Sequence, residues 1–581
     1  MYMKPFLFIC TVIVLVPLNG CITDQGQKKE MSTDVAVGSL KFKSEIPDAP
    51  AELPLLKLER QPAPIGLMNR VLASANNSAK LEQLGESALM RTNRIKLPGD
   101  VVGFVEDDHV KAWASLGSGE AEIYPTMGKL KPISPSEVSG LASRAREILE
   151  SPGFIIKDDT RLVIDAAQVL NGTTVAREGN GNTRLEKPTA PYAAYVLGRR
   201  FVGDFRVDGV GSRALVVVGS GGRVEGLTRV WKSGRNASTV KAAWSASQVQ
   251  EEITRQLAPA AKTSEVVVDS IRVAYYDGNR KYLQPVYRFT ARIHQLTSGG
   301  ERTADDFVIG YIPFGKKSSE PLPQLGKSGG PKPKMPGEKT SARKGRQKGD
   351  KNDPTVGRYV VREAEGGFVD EANDFWNSLS GAWAGSLFSN SQYYWAEQRL
   401  YTNEKDSFVN SMNIALTEAH GDWWLFSALK NCCELVNING DIPSPGYGPT
   451  ANGQLALWVI RGCEVVPSPD DTANWPDPWW TVFGGLRNVV GIRTIGYLSD
   501  GSTGVYGKSI GTLAPVVSSW LSDVISLNAY SGNPTYAAHG GVVRPMGRPC
   551  TISMCGHDNE SALNTWDPGR AGCLTVWWFP D

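Results

Sequence analysis

Apolar and polar positions change rhythm several times along this chain, and each change predicts a boundary. Residues 6–16 are apolar almost without interruption, and the run closes on Leu18-Asn19-Gly20-Cys21. Residues 21–50 then turn polar with little apolar periodicity, which predicts a flexible tether. An α+β region is expected over 51–190. Within it Ser134-Pro135-Ser136-Glu137 predicts a helix start, with serine as cap, proline at the first helical position and glutamate three residues after the cap. Val138, Leu141, Ala145, Ile148 and Leu149 give that helix one apolar face, although Gly140 weakens its interior. Residues 161–165 read as a strand, and Asn171-Gly172 offers a turn.

The strand signal strengthens over 191–313. Residues 214–218 and 223–231 flank Gly219-Ser220-Gly221-Gly222 and predict a hairpin. Residues 245–257 are helical by spacing, with Ser247 as candidate cap, and 266–268, 271–276 and 283–289 add strands. Residues 314–357 are rich in Pro, Gly and Lys and predict a disordered basic linker: first a solvated spacer, second a contact for anionic polymers or a maturation cut. From 358 to 581 aromatic residues concentrate, with Trp423-Trp424, Trp479-Trp480 and Trp577-Trp578. Two runs there end in residues with chemistry. Residues 414–418 lead to His420-Gly421, and residues 455–461 lead to Gly462-Cys463.

Composition refines the picture. A chain of 581 residues exceeds one core and predicts about three domains. With 41% hydrophobic residues and a formal charge of +2, it reads as an ordinary globular chain with no strong global field, so no nucleic-acid partner is expected. The opening apolar run is too short to span a bilayer, and no second run is long enough. Lys4, the apolar run and the small residues before Cys21 form a secretory signal over 1–20. The motif resembles the bacterial lipobox, which implies cleavage before Cys21 and lipid on that cysteine. Dual acyl chains anchor stably. Ile22 and Thr23 in place of aspartate imply, by the same resemblance, an outer-membrane address in a diderm producer. The plainer alternative is an ordinary signal peptide with an incidental cysteine.

Six of the eight cysteines, Cys432, Cys433, Cys463, Cys550, Cys555 and Cys573, lie in the last third. In an oxidising compartment that clustering predicts disulfides, with partners for Cys432 and Cys433 among the later ones. If Cys463 stays free, the remaining five cannot all pair. Cys550, Cys555 and His557 have the ligand types of a metal site, but their spacing matches no zinc pattern closely, and a disulfide is the stronger reading. His539-Gly540-Gly541 carries no stronger signal, and His109 and His294 read as structural. No metal and no cofactor are expected. The paired tryptophans suit a carbohydrate platform less well than core packing.

The helix-then-hairpin grammar of 191–313, with Leu283-Gln284-Pro285-Val286-Tyr287, resembles the PepSY-type modules of secreted peptidase propeptides. His420-Gly421 and Gly462-Cys463, each after a strand-like run, resemble the caspase, legumain and gingipain superfamily of cysteine peptidases. In that fold two neighbouring parallel strands of an α/β sheet end in His-Gly and in a small residue followed by Cys. Residues 482–494, with a helix over 514–521 carrying Trp520, resemble an uncharacterised gingipain-related branch. The resemblance implies an α/β caspase-like C-terminal domain, a mostly parallel sheet flanked by helices over 358–581, preceded by α+β propeptide-like modules. It implies Cys463 as nucleophile, His420 as acid/base, the N–H groups of Gly421 and Cys463 as oxyanion hole, and Gly462 as the small residue that keeps the strand end tight. Loops at the carboxyl ends of parallel strands are where open α/β sheets place their sites, which agrees with that assignment. A protein or peptide substrate follows, with Asp422, Glu464, Asp470, Asp471 and Asp500 as candidates for a pocket that prefers Arg or Lys. Domain order adds intramolecular inhibition by the N-terminal modules. The alternative is a non-catalytic, disulfide-tied surface module that binds protein or glycan.

Overall fold

The protein is described by a computed structural model over residues 39–581, apart from 76–78, 93–94, 96, 108, 156, 179–182, 263, 297–301, 326–328, 338–353, 363–366, 429–433, 539–541 and 565–567. The expected signal, Cys21, most of the tether, Cys432, Cys433, His539-Gly540-Gly541 and the centre of the basic linker lie outside the described residues.

Helix α1 (Val138–Leu149) buries Leu141, Ala145, Ile148 and Leu149, the face that the spacing predicts. It begins later than the cap signal implies. Ser134 and Glu137 do bond, backbone N–H and hydroxyl both reaching the Glu137 carboxylate at 2.6 and 2.9 Å, but as a turn ahead of the helix. Strands β1 (Gln168–Arg177) and β2 (Thr183–Val202) pair antiparallel. Asn171-Gly172 therefore lies inside a strand and makes no turn. Gly172 is there for space, since a Cβ would come within 2.5 Å of the Trp577 ring. Strand β2 runs through residue 190, so no boundary separates 51–190 from 191–313. Strands β3 (Ser212–Gly219) and β4 (Val224–Trp231) form the predicted hairpin.

Helix α2 (Ala246–Leu257) is capped by Ser245 in a reciprocal box with Gln248, so Ser245 and not Ser247 is the cap. Strands β5 (Ser264–Tyr276), β6 (Tyr282–Leu296) and β7 (Arg302–Pro313) form an antiparallel meander. Ser39–Phe42 pairs in parallel with β5, so the end of the expected tether is sheet. The described flanks of the basic linker are likewise docked: Phe314 is fully buried, Gln284 bonds the backbone of Ser319 and Glu320, and the Lys334 N–H donates to the Tyr393 carbonyl. Their few apolar residues and backbone amides find partners that a local composition reading does not see.

The C-terminal region starts with β8 (Thr355–Val360), inside the segment expected as linker. Helix α3 (Gly367–Gly381), β9 (Ser389–Trp395), β10 (Ile414–Glu418), β11 (Leu457–Arg461) and β12 (Asn488–Ile492) follow, then α4 (Ser502–Gly511), α5 (Val516–Ile525), β13 (Pro549–Met554) and β14 (Cys573–Trp578). The strands lie in the order β9-β8-β10-β11-β12-β13-β14, the first five parallel and the last two antiparallel. Every residue of β8, β10, β11 and β12 is buried, as central parallel strands require. The helix expected at 514–521 is α5, starting at Val516, and α4 precedes it. Trp520 of α5 donates to the Gly491 carbonyl at 2.8 Å.

The N-terminal and C-terminal regions share sheet and core. Strand β14 continues antiparallel into β1, and Phe307-Val308 of β7 pairs in parallel with Tyr497–Leu498. Arg213 on β3 bonds Asp523 of α5 at 3.0 Å, with both side chains buried. Residues 36–581 form one compact unit rather than a string of separate modules. Among the described residues no helix is long and apolar enough to cross a membrane.

Candidate functional site

The site is built from a register. Strands β10 and β11 pair in parallel from Ile414–Leu457 to Glu418–Arg461, an offset of 43 residues throughout. His420 and Cys463 differ by the same 43 positions. The sheet therefore carries both to the same level at the carboxyl ends of adjacent strands, a few ångströms apart in the pairing direction. Beyond the strands, the Ala419 N–H donates to the Arg461 carbonyl at 3.2 Å, which holds the two ends together.

Gly421 lies against the Cys463 backbone. A Cβ there would stand 2.5 Å from the Cys463 carbonyl oxygen and 3.2 Å from its nitrogen. No other residue type allows this approach. At Gly462 a Cβ would meet Val465 at 2.8 Å and the Ala419 carbonyl at 3.3 Å. The chain turns immediately afterwards at Glu464, whose φ is 60°. These two glycines bring the strand ends, and with them the Gly421 and Cys463 backbones, into contact.

Cys463 is a free cysteine, with its sulfur 4.0 Å from the Gly496 carbonyl. Burial pushes that thiol up to about 11; Arg461 opposes the shift, whereas Asp306 and Glu464 add to it. The His420 ring bonds Asp306 of β7 through Nδ1 at 2.5 Å and meets Phe368 of α3 edge to face, with centroids 4.9 Å apart. Sequence reasoning missed Asp306. Its signal was an Asp305-Asp306 pair directly before the apolar run 307–313 of that strand.

The polar residues at and just before β10 have specific uses. The Asn413 side-chain oxygen Oδ1 accepts from the Thr355 N–H and hydroxyl at 2.9 and 3.0 Å, and Thr417 accepts from the Trp458 indole at 3.0 Å. Arg461 is buried beneath the site, bonding Asp500 at 2.9 Å, the Tyr497 carbonyl at 2.6 Å and Ser502 at 3.1 Å, with Glu371 at 3.5 Å. Asp500 and Asp471 are thereby excluded from a substrate pocket, the latter pairing with Arg493 at 2.8 Å. Asp470 accepts from Trp578 at 2.7 Å. Glu464 accepts from the Tyr536 hydroxyl at 2.6 Å and from Arg544 at 3.5 Å, and Asp422 is exposed; both follow closely on Cys463 and His420 in the chain.

Glu418 ends β10 fully buried, and neither carboxyl oxygen has a hydrogen-bond partner among the described residues. Burial raises its pKa well above 4.5, and Glu371 and Asp500 add to the effect against Arg461. The folded protein therefore keeps a proton on Glu418 that the unfolded chain releases. That stabilisation is complete below pH 4.5 and is lost as pH rises through the folded-state value. Urea unfolding of Glu418→Gln and the parent between pH 5 and 8 checks this. The variant is expected to gain on the parent as pH rises, by up to about 1.4 kcal/mol per pH unit. Parallel profiles would show that Glu418 ionises normally.

Other sequence candidates resolve differently. Cys555 is bonded to Cys573, Cys550 is a buried free thiol, and His557 bonds Glu560 at 2.6 Å. Among the described residues no group of three His, Cys, Asp or Glu side chains is arranged to hold a metal. His109 is buried and His294 pairs with Asp305. Trp479, Trp480, Trp577 and Trp578 are core residues, whereas Trp423 is 40% exposed.

No protein-family profile matches the sequence, and no curated protein matches it. Among solved structures, the chain is similar to an uncharacterized protein from Eubacterium rectale ATCC 33656. The likeness has 13% sequence identity and a TM-score of 0.29, and covers 49% of this chain and 91% of that one.

Proposed function

We propose that this chain is a cysteine endopeptidase of the caspase, legumain and gingipain type, held at the cell envelope by lipid on Cys21. The observation that carries the reading is the shared register of His420 and Cys463 at the ends of adjacent parallel strands, with Cys463 a free cysteine. The anchor rests on the lipobox-like residues before Cys21.

With its pKa near 11, the resting thiol is protonated at neutral pH. His420 must then take the proton as Sγ attacks the peptide carbonyl carbon. The carbonyl oxygen gains charge between the Gly421 and Cys463 N–H groups. As the C–N bond breaks, His420 returns the proton to the departing amine and a thioester remains. Water, deprotonated by His420, hydrolyses the thioester and restores the thiol. Asp422 and Glu464, which follow closely on the dyad in the chain, favour a basic side chain in the substrate.

Labelling with iodoacetamide across pH, with the modified site mapped by mass spectrometry on non-reduced protein, tests the reading. Cys463 is expected to react slowly at pH 7 and about tenfold faster per pH unit until a plateau near 11. Finding Cys463 in a disulfide would end the peptidase reading and favour a binding module.

A further inference from the structure

The strongest unassigned feature is an acid brought to the candidate dyad from outside the C-terminal region. Asp306 lies on β7, in the meander expected as a propeptide-like module, and its side chain is 5% exposed. Strand β7 is fixed there by parallel pairing of Phe307 and Val308 with Tyr497 and Leu498, directly after Gly496, whose carbonyl lies near the Cys463 sulfur. Its carboxylate oxygen stands 2.5 Å from His420 Nδ1.

A carboxylate only accepts hydrogen bonds, so the contact defines the tautomer: Nδ1 carries the proton and donates, and Nε2 is left as the nitrogen that exchanges protons. Phe368 packs edge-on against the same ring and limits its rotation. A buried carboxylate is costly unless it has a strong partner, and this contact supplies one. Besides Asp306 on the ring, Glu418 and Asp422 flank His420 along the chain, and Arg461 and Glu464 flank Cys463. Asp306 holds the imidazole ring, whereas an inhibitory segment would have to cover the nucleophile.

We infer that Asp306 is a positioning residue for His420, so that the site is a Cys463–His420–Asp306 array completed by the N-terminal region. The inference deepens the peptidase reading and rests on it for its kinetic consequence. Far from being a removable inhibitor, the meander would then be required for activity.

The test uses the full chain labelled with 15N-histidine. The chain has five histidines, and His420→Ala assigns the resonance by its loss. The parent is expected to show His420 as the Nδ1–H tautomer. In Asp306→Asn, whose amide can donate to Nδ1, that tautomer should be lost. On peptide substrates kcat should fall on the order of 100-fold, with KM within about threefold. Asp306→Glu should recover part of the activity, which separates the role from mere folding. Asp305→Asn, whose carboxylate pairs with His294, should leave tautomer and kcat unchanged. An unchanged His420 tautomer in Asp306→Asn overturns the inference, and so does a rise in kcat, which would mark Asp306 as a latch. If the parent cleaves no peptide the peptidase reading fails, yet the tautomer still decides what Asp306 does.

Discussion

Replacing Cys463 with alanine is expected to abolish peptide-bond cleavage, a loss on the order of 10⁴-fold or more in kcat/KM. The expectation follows from the role proposed for the sulfur, as the group that forms the thioester. Among the described residues no other thiol stands in its place: Cys550 is buried on β13 and Cys555 is bonded to Cys573. His420→Ala should cost between about 10² and 10⁴-fold, because a protein with the thiol and backbone donors intact keeps some transition-state stabilisation. The double variant should be no worse than Cys463→Ala alone, since the two residues act on one proton. Folding should be little affected, because the sulfur's polar contact with the Gly496 carbonyl is 4.0 Å long. The measurement is cleavage of a diverse peptide pool read by mass spectrometry, with circular dichroism to verify folding. Parent-like cleavage by Cys463→Ala would remove this residue from the chemistry.

The largest stability effect is expected at Arg461. Its guanidinium is fully buried and holds Asp500, Glu371, the Tyr497 carbonyl and Ser502. Arg461→Met would keep the apolar stem and remove the charge, leaving two buried carboxyls without their cation. Losing one member of a buried ionic cluster costs about 3–5 kcal/mol. The loss should shrink at acid pH. Burial and Asp500 already raise Glu371 above its usual range, and protonation relieves a group with a raised pKa as pH falls. Asp500→Asn added to Arg461→Met should restore part of the stability, a non-additivity expected only of residues in direct contact. Urea midpoints at pH 5 and 8 measure all of this. A change below about 1 kcal/mol for Arg461→Met would mean that water reaches the cluster. Because Arg461 immediately precedes Gly462-Cys463, a large loss would also show how much buried charge holds the nucleophile's strand end in place.

The sequence by itself determined the local elements whose signals are local. Glycines between two strand-like apolar runs sufficed for the hairpin of β3 and β4, and apolar spacing sufficed for α1 and α2. The strand ends bearing His420 and Cys463 were legible because central parallel strands are buried on both faces and read as apolar runs. The 43-residue spacing was visible too, but only strand pairing makes it a register. Where signals were non-local the sequence misled. Asn171-Gly172 has turn chemistry, yet it is strand because β14 and the Trp577 ring lie alongside. The propeptide-like region looked separable because linker composition is a local property. It shares sheet and buried ion pairs with the C-terminal region because those contacts join residues hundreds of positions apart. Asp306 shows the limit most clearly. It precedes His420 by 114 residues, and its partner exists only once β7 pairs beside Tyr497–Leu498. Local periodicity records which face of an element is buried. Which charged group meets which across the core is decided by tertiary packing, where desolvation makes each pairing matter.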